Sequence, residues 1–341
     1  MDKKESLIVK GFAASSMVFM HLFNQMGNVN LCENFISIDG MPLVYLLSIP
    51  SIRVALYLFM SGYGLYCSFD KDKIGRGKTK QRVLLLYARF WIIFCVFIGI
   101  GVILFSPSYL KSPSVFIGNI TGFDTTYNGE WWFLFPYIML VITSKFIFRV
   151  VDRYNPLLII GAVGAIFLSA YTMCKLNGEF LYSNHFVYQP LLYCTSLFSF
   201  VIGALSAKYN VFVVIRKRLQ LLNANLVQTL FIVLPLICLG VRIFYIPFGV
   251  FDSLLAFVIL FAIVLMRRYK WIDSILTIIG KQSTNIWLIH SFFFYYFWHD
   301  FFYSLKYLVL IFIVVMLLSY TSGKLLDLIY APVQRYIKSK L

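Results

Sequence analysis

Negative charge is scarce in this chain. It has 14 Asp and Glu against 30 Lys and Arg, and charged residues of both signs make up 13% of its 341 residues. A soluble globular chain is about a quarter charged, so an ordinary water-exposed surface is excluded. Histidine is also sparse. His21, His185, His290 and His299 form neither HExxH nor any other metal-ligand spacing. There is no GxxxxGK[ST] loop and no GxGxxG turn after a strand, which removes P-loop and dinucleotide sites. No serine stands in a GxSxG context or is tied by sequence to a His–Asp pair, so nothing supports a serine nucleophile. No CxxC pair exists. Cys32, Cys67, Cys95, Cys174, Cys194 and Cys238 lie within or beside apolar runs and read as small buried residues, with a Cys32–Cys174 bridge on the outer face as the alternative.

What the chain does have is apolar sequence: 60% of its residues are hydrophobic. Runs long enough to cross a hydrocarbon layer of ~30 Å recur from end to end. The expected fold class is all-α, a polytopic transmembrane helical bundle forming one domain over residues 1–341. About ten spans are expected, near 6–27, 43–69, 84–105, 131–149, 156–174, 187–207, 225–243, 249–267, 281–298 and 305–329. No small-x-small cleavage site follows the first run, so it is expected to remain as a span.

The basic residues divide among alternate connections. Lys3 and Lys4, Lys71 to Arg82, Lys145 to Arg153, Lys208 to Arg218, Arg267 to Lys270, and Arg335 to Lys340 fall on one side. The other side carries Glu33, Asp39, Asp124, Glu130 and Glu179, with Lys111, Lys175, Arg242 and Lys306 as exceptions. This bias predicts that both termini are cytoplasmic. It also argues against a nucleic-acid partner, because the charge is not gathered in one patch. Membrane lipid is the expected surrounding.

Several polar residues stand inside apolar runs. In LIVKGFAASSMVFMHLFNQ, Leu7 to Gln25, Lys10, Ala14, Met17, His21 and Asn24 or Gln25 fall near one helical stripe. Such a stripe belongs against protein or water, since a polar group in lipid is costly. His21 lies in the outer half of this run and is suited to take a proton from a hydroxyl; a hydrogen-bonded core histidine is the equal alternative. Arg53 in the second run reads as a structural ion pair or a snorkelling side chain, or as a residue near the substrate. In KQSTNIWLIHSFFFYYFWH, Ser283, Trp287, His290 and Phe294 share a face, and His290 lies ~13 Å of helix rise beyond Lys281, near mid-membrane. Residues 106–130 read as turns rather than helix, and Asn119 begins an NIT sequon. Trp131 and Trp132 read as interfacial anchors or as rings for stacking on sugars. Residues 71–82 read as positive-inside charge or as a seat for a phosphate-rich donor. Residues 210–222 and 271–280 read as amphipathic pieces on the inner surface.

Four segments together resemble the membrane acyltransferase-3 family. KGFAASSMVFMHLF resembles its first helix, whose histidine falls on His21. LFMSGYGLY resembles its second-helix signature. YNGEWWFL resembles the segment entering the fourth span, and IGKQSTNIWLIHSFF resembles the late signature whose histidine falls on His290. One position departs: where many relatives carry RxxR at the entry to span three, Arg82 is followed three places later by Leu85, and the next arginine is Arg89.

The resemblance implies transfer of an acyl group, usually acetyl, from cytoplasmic acyl-CoA to a hydroxyl of a cell-surface polysaccharide or other glycan. His21 and His290 are then the candidate catalytic residues. Asn24, Gln25, Arg53, Glu130, Trp131 and Trp132 are candidates for the acceptor site, and Lys10, Arg82, Arg89 and Ser283 for the donor site. No tightly bound cofactor is expected; acetyl-CoA or another acyl-CoA is a co-substrate. The implied partners are a glycan or lipid-linked saccharide, with polysaccharide-assembly proteins or a second copy of the chain as further ones. The implied location is the cell membrane of a bacterium. A flippase for a lipid-linked intermediate and a non-catalytic assembly scaffold are the competing readings.

Overall fold

A computed structural model describes residues 1–69, 76–106, 109–246 and 248–340. Residues 71–75 of the expected basic seat lie outside the described residues. The regular structure of the described chain is helical, apart from one two-residue hairpin pairing Ser37–Ile38 with Met41–Pro42. Among the described residues, eight helices are long and apolar enough to cross a membrane: Lys3–Phe23, Leu43–Phe69, Lys78–Phe105, Gly129–Arg153, Pro156–Leu176, His185–Lys208, Ala224–Phe244 and Leu308–Lys340. The protein is therefore an all-α polytopic membrane protein. The two remaining expected spans correspond to a shorter apolar stretch, Gly249–Leu265, and to Lys270–Ser291, which carries Lys281, Gln282, Asn285 and His290 among its apolar residues.

Three expectations change on the structure. The loop 106–130 contains a helix, Pro113–Thr121. Ser112 caps it through the Val115 amide, Pro113 fits its first turn, and Gly122 ends it at φ +74°. The turn-forming residues of that stretch are thus its caps. Asn119 is fully buried, donating to the Val115 carbonyl and accepting from the Tyr127 amide, so the folded chain does not present its sequon. The stretch 271–280 is not a separate surface piece but the first half of the helix that carries His290. All six cysteines are free thiols, without the Cys32–Cys174 bridge, and only Cys32 is buried: Cys95 is exposed and the other four are half-buried.

The chain forms two compact units. One comprises residues 1–60 and 208–321, the other 61–207 and 322–341. The division falls inside the helices Ile52–Phe69 and Leu308–Lys340. In the first unit, Pro50 and Ser51 break the second expected span into Leu43–Ser48 and Ile52–Phe69. The break is held by Asp252. Its carboxylate accepts from the Ser51 amide at 2.7 Å and from Arg242 Nε at 2.6 Å, with both charged side chains buried. In the second unit, Arg89 pairs with Asp327 at 2.7 Å and stacks over the Tyr330 ring.

Candidate active site

The site begins with two helices of the first unit. Lys3–Phe23 starts at a capping box, in which Asp2 accepts from the Glu5 amide and Glu5 from the Asp2 amide. Lys4 reaches Asp273 at 3.6 Å near the start of Lys270–Ser291. At the other end, His21 and His290 meet at 3.0 Å. Both pairs have the same offset in residue number, so the helices run parallel and in register. Two glycines permit their close approach. A Cβ at Gly11 would lie 2.0 Å from the Leu276 carbonyl oxygen, and one at Gly280 would lie 2.0 Å from the Leu7 oxygen. Small residues at such a crossing let backbones touch, as is common between membrane helices.

His290 is not midway along its helix. The helix starts at Lys270, so His290 stands ~30 Å of rise later, in the last turn. His21 occupies the last turn of the first helix. Both rings are buried.

The hydrogen bonds of this pair fix its protons. His290 Nδ1 lies 2.9 Å from the Ile286 carbonyl and 2.9 Å from the Trp287 carbonyl. Carbonyl oxygens only accept, so Nδ1 carries the proton. In the neutral ring Nε2 is then an acceptor. It faces His21 Nδ1, which must donate to it, and His21 Nε2 keeps its lone pair. Two backbone carbonyls thus set, through one imidazole, which nitrogen of the next is basic. This is the orienting logic by which a second hydrogen-bonded group selects a catalytic tautomer.

After Ser291 the backbone widens into a π-helix, Phe292–Phe297, marked by the Trp298 amide donating to the Phe293 carbonyl. Such widened turns occur often at functional sites. The shift brings the Tyr295 hydroxyl onto the His21 carbonyl oxygen and within 3.5 Å of Asn24 Oδ1. Its ring lies against the His21 ring, at 6.3 Å between centroids. Arg53, buried and donating to the Pro50 carbonyl, is close enough to act electrostatically on both histidines. Gln25 is exposed at the head of the turn Met26–Val29, and its side chain caps nothing there.

A second polar level lies further along the same helices. Tyr57 bonds to the Ser283 side chain and to the Lys10 carbonyl. Between the levels, Asn285 donates to Gln282 at 2.6 Å, and both are buried. From Ser283 to His290 the helix rises ~10 Å, so polar groups recur along the pair.

The model of the acyltransferase-3 family, described as an acyltransferase domain, matches residues 7–323. The chain belongs to the acyltransferase-3 family. No curated protein and no solved structure gives a match.

In this acyltransferase the sequence-derived residues fall into two groups. His21, His290, Asn24, Gln25, Arg53, Lys10 and Ser283 belong to the first unit, and Arg82, Arg89, Glu130, Trp131 and Trp132 to the second. The first unit brings the two histidines into contact, with Arg53 and Asn24 around them. Lys10 and Ser283 meet at the Tyr57 level.

Trp131 is fully buried, edge-on to Phe90 at 4.9 Å, and packs the core of its unit without offering a ring face. Trp132 is half-buried against Phe133. Glu130 is half-buried, its amide held by Asn128. Arg89 is committed to Asp327, while Arg82 is half-buried near the Tyr137 phenol.

Sequence reasoning missed Tyr295 and Tyr57. Tyr295 sits in the run FFFYYF, where only the π-helical turn aims it at His21. Tyr57 lies one turn after Arg53, and that spacing was a usable signal.

Proposed function

We propose that this acyltransferase moves an acyl group, acetyl in the first instance, from cytoplasmic acyl-CoA to a hydroxyl of a glycan at the outer face of the cell membrane. The observation that carries this reading is the His21–His290 pair with its proton positions fixed. His21 Nε2 takes the proton of the acceptor hydroxyl as the hydroxyl oxygen bonds to the thioester carbonyl carbon. His290 accepts the His21 Nδ1–H bond and holds the ring while it is charged. The Arg53 guanidinium supplies positive charge toward the oxyanion that forms, the kind of prearranged stabilisation that usually contributes most to such reactions. The carbon–sulfur bond then breaks, and the thiolate takes the proton back from His21 Nε2. The products are an O-acyl ester and the free thiol.

Lys10, Tyr57 and Ser283 form the level through which the donor's acyl end approaches the histidines. Arg82 is the arginine assigned to donor phosphate, because Arg89 already has a carboxylate partner. Asn24 and Tyr295 border the acceptor side. A direct test is mass spectrometry of cell-surface glycans from cells with the intact gene, a deletion and His21→Ala. Loss of one acetyl mass in both altered strains is expected. Normal acylation with missing polymer would transfer the case to transport or assembly.

A further inference from the structure

The second unit holds a polar cluster that the reaction above does not use. His185 opens the helix His185–Lys208, and Gln189 lies one turn later on the same face. Gln189 is 3% exposed, and its Nε2 donates to the Phe123 carbonyl at 2.8 Å. That bond fixes the amide orientation, because a carbonyl cannot donate. The opposite atom, Gln189 Oε1, is then a buried acceptor with no hydrogen-bond partner among the described residues.

His185 repeats the situation. Its Nε2 faces the Asp124 carboxylate at 4.0 Å, and its Nδ1 is buried without a partner among the described residues. That separation is too long for a hydrogen bond, so Nδ1 accepts in one tautomer and donates in the other. A buried polar atom left unpaired is costly, and two such atoms in one turn of helix call for a ligand whose groups both donate and accept. Beside them is a ring platform. Phe186 is 82% exposed and lies 5.1 Å from Phe123, the residue whose carbonyl anchors Gln189.

The geometry points to a saccharide subsite at Asp124, His185 and Gln189. One sugar hydroxyl donates to Gln189 Oε1, a second bonds to His185 Nδ1, and the apolar face of the sugar ring packs on Phe186. The inference rests on the glycan-acylating reading and adds to it a saccharide-binding element within the second unit.

The test uses the full chain in nanodiscs and saturation-transfer NMR with methyl glycosides of glucose, galactose, mannose and N-acetylglucosamine. Wild type and His21→Ala should bind at least one glycoside equally. Gln189→Met and His185→Phe, two replacements of similar size, should each weaken that binding about tenfold or more. The thermal unfolding midpoint, measured alongside, should stay within a few degrees of wild type in both, which establishes that they are folded. Wild-type-like binding by both variants, or no binding of any glycoside by the wild type, would overturn the subsite. Binding that depends on Gln189 without acyl transfer to any sugar would sink the glycan reaction and leave the subsite standing. Transfer to sugar that is indifferent to Gln189 would do the reverse.

Discussion

Two helices of the same unit make opposite uses of the membrane. Ala224–Phe244 is apolar along most of its length, and only 6% of its most apolar stretch is buried inside the protein. Lys3–Phe23 carries Lys10, Ser15, Ser16 and His21, and 61% of its most apolar stretch is buried. The more apolar helix can face lipid because it has few polar groups to shield. The less apolar one must be enclosed, because every unpaired polar group in hydrocarbon is costly. Enclosure is then what makes chemistry available: the rings of His21 and His290 meet away from lipid, with their protons assigned by backbone carbonyls. The contrast extends to glycine. A Cβ at Gly240, on the lipid-facing helix, would meet nothing within 4 Å, whereas Gly11 and Gly280 each abut a carbonyl oxygen.

The contrast can be broken first at its most expensive point. Arg242 is the one buried residue of Ala224–Phe244, and it joins Asp252 and the Ile246 carbonyl. Arg242→Ala would leave a buried carboxylate without its charged partner, and losing one member of such a pair costs about 3–5 kcal/mol. A marked fall in thermal stability in detergent is expected, far beyond that of Leu236→Ala on the exposed side of the same helix. Equal effects would mean that the ion pair does not anchor this helix.

Next in size is the helix crossing. Gly11→Val or Gly280→Val forces a side chain into a backbone carbonyl, and overpacking of this kind costs about 1–3 kcal/mol. Both should lower stability and activity together, while Gly240→Val leaves each unchanged. A neutral Gly280→Val would refute the close crossing.

The smallest effect should come from Tyr295→Phe. It removes one hydrogen bond to the His21 carbonyl, worth about 1 kcal/mol. A fall of several-fold in kcat with stability retained is expected. A wild-type rate would show that the π-helical turn does not position His21.

Much of this was legible in the chain, for physical reasons. Apolar runs, charge asymmetry and the polar stripe through His21 are one-dimensional signals, and they indicated a helical membrane protein whose first helix is enclosed. His290 was visible as a residue, but its place along its helix was not. Lys281 looked like a helix boundary because it is charged, whereas the helix continues back to Lys270 on its packed glycine face. The pairing of His21 with His290 depends on register between segments far apart in sequence, which periodicity does not encode. The fully buried Trp131 resembled an interfacial anchor because position beside a polar loop says nothing about enclosure by Phe90 and Phe94.

The central claim is that the two histidines act as one proton-handling unit. The measurement that tests it most directly is kcat for acyl transfer in His21→Ala, His290→Ala and the double variant. General acid–base groups are typically worth about 10²–10⁴-fold. His21→Ala should lose at least that much, His290→Ala about 10²-fold, and the double variant no more than His21→Ala alone, as for residues that work together. A wild-type rate in His290→Ala, or losses that multiply in the double variant, would contradict the account.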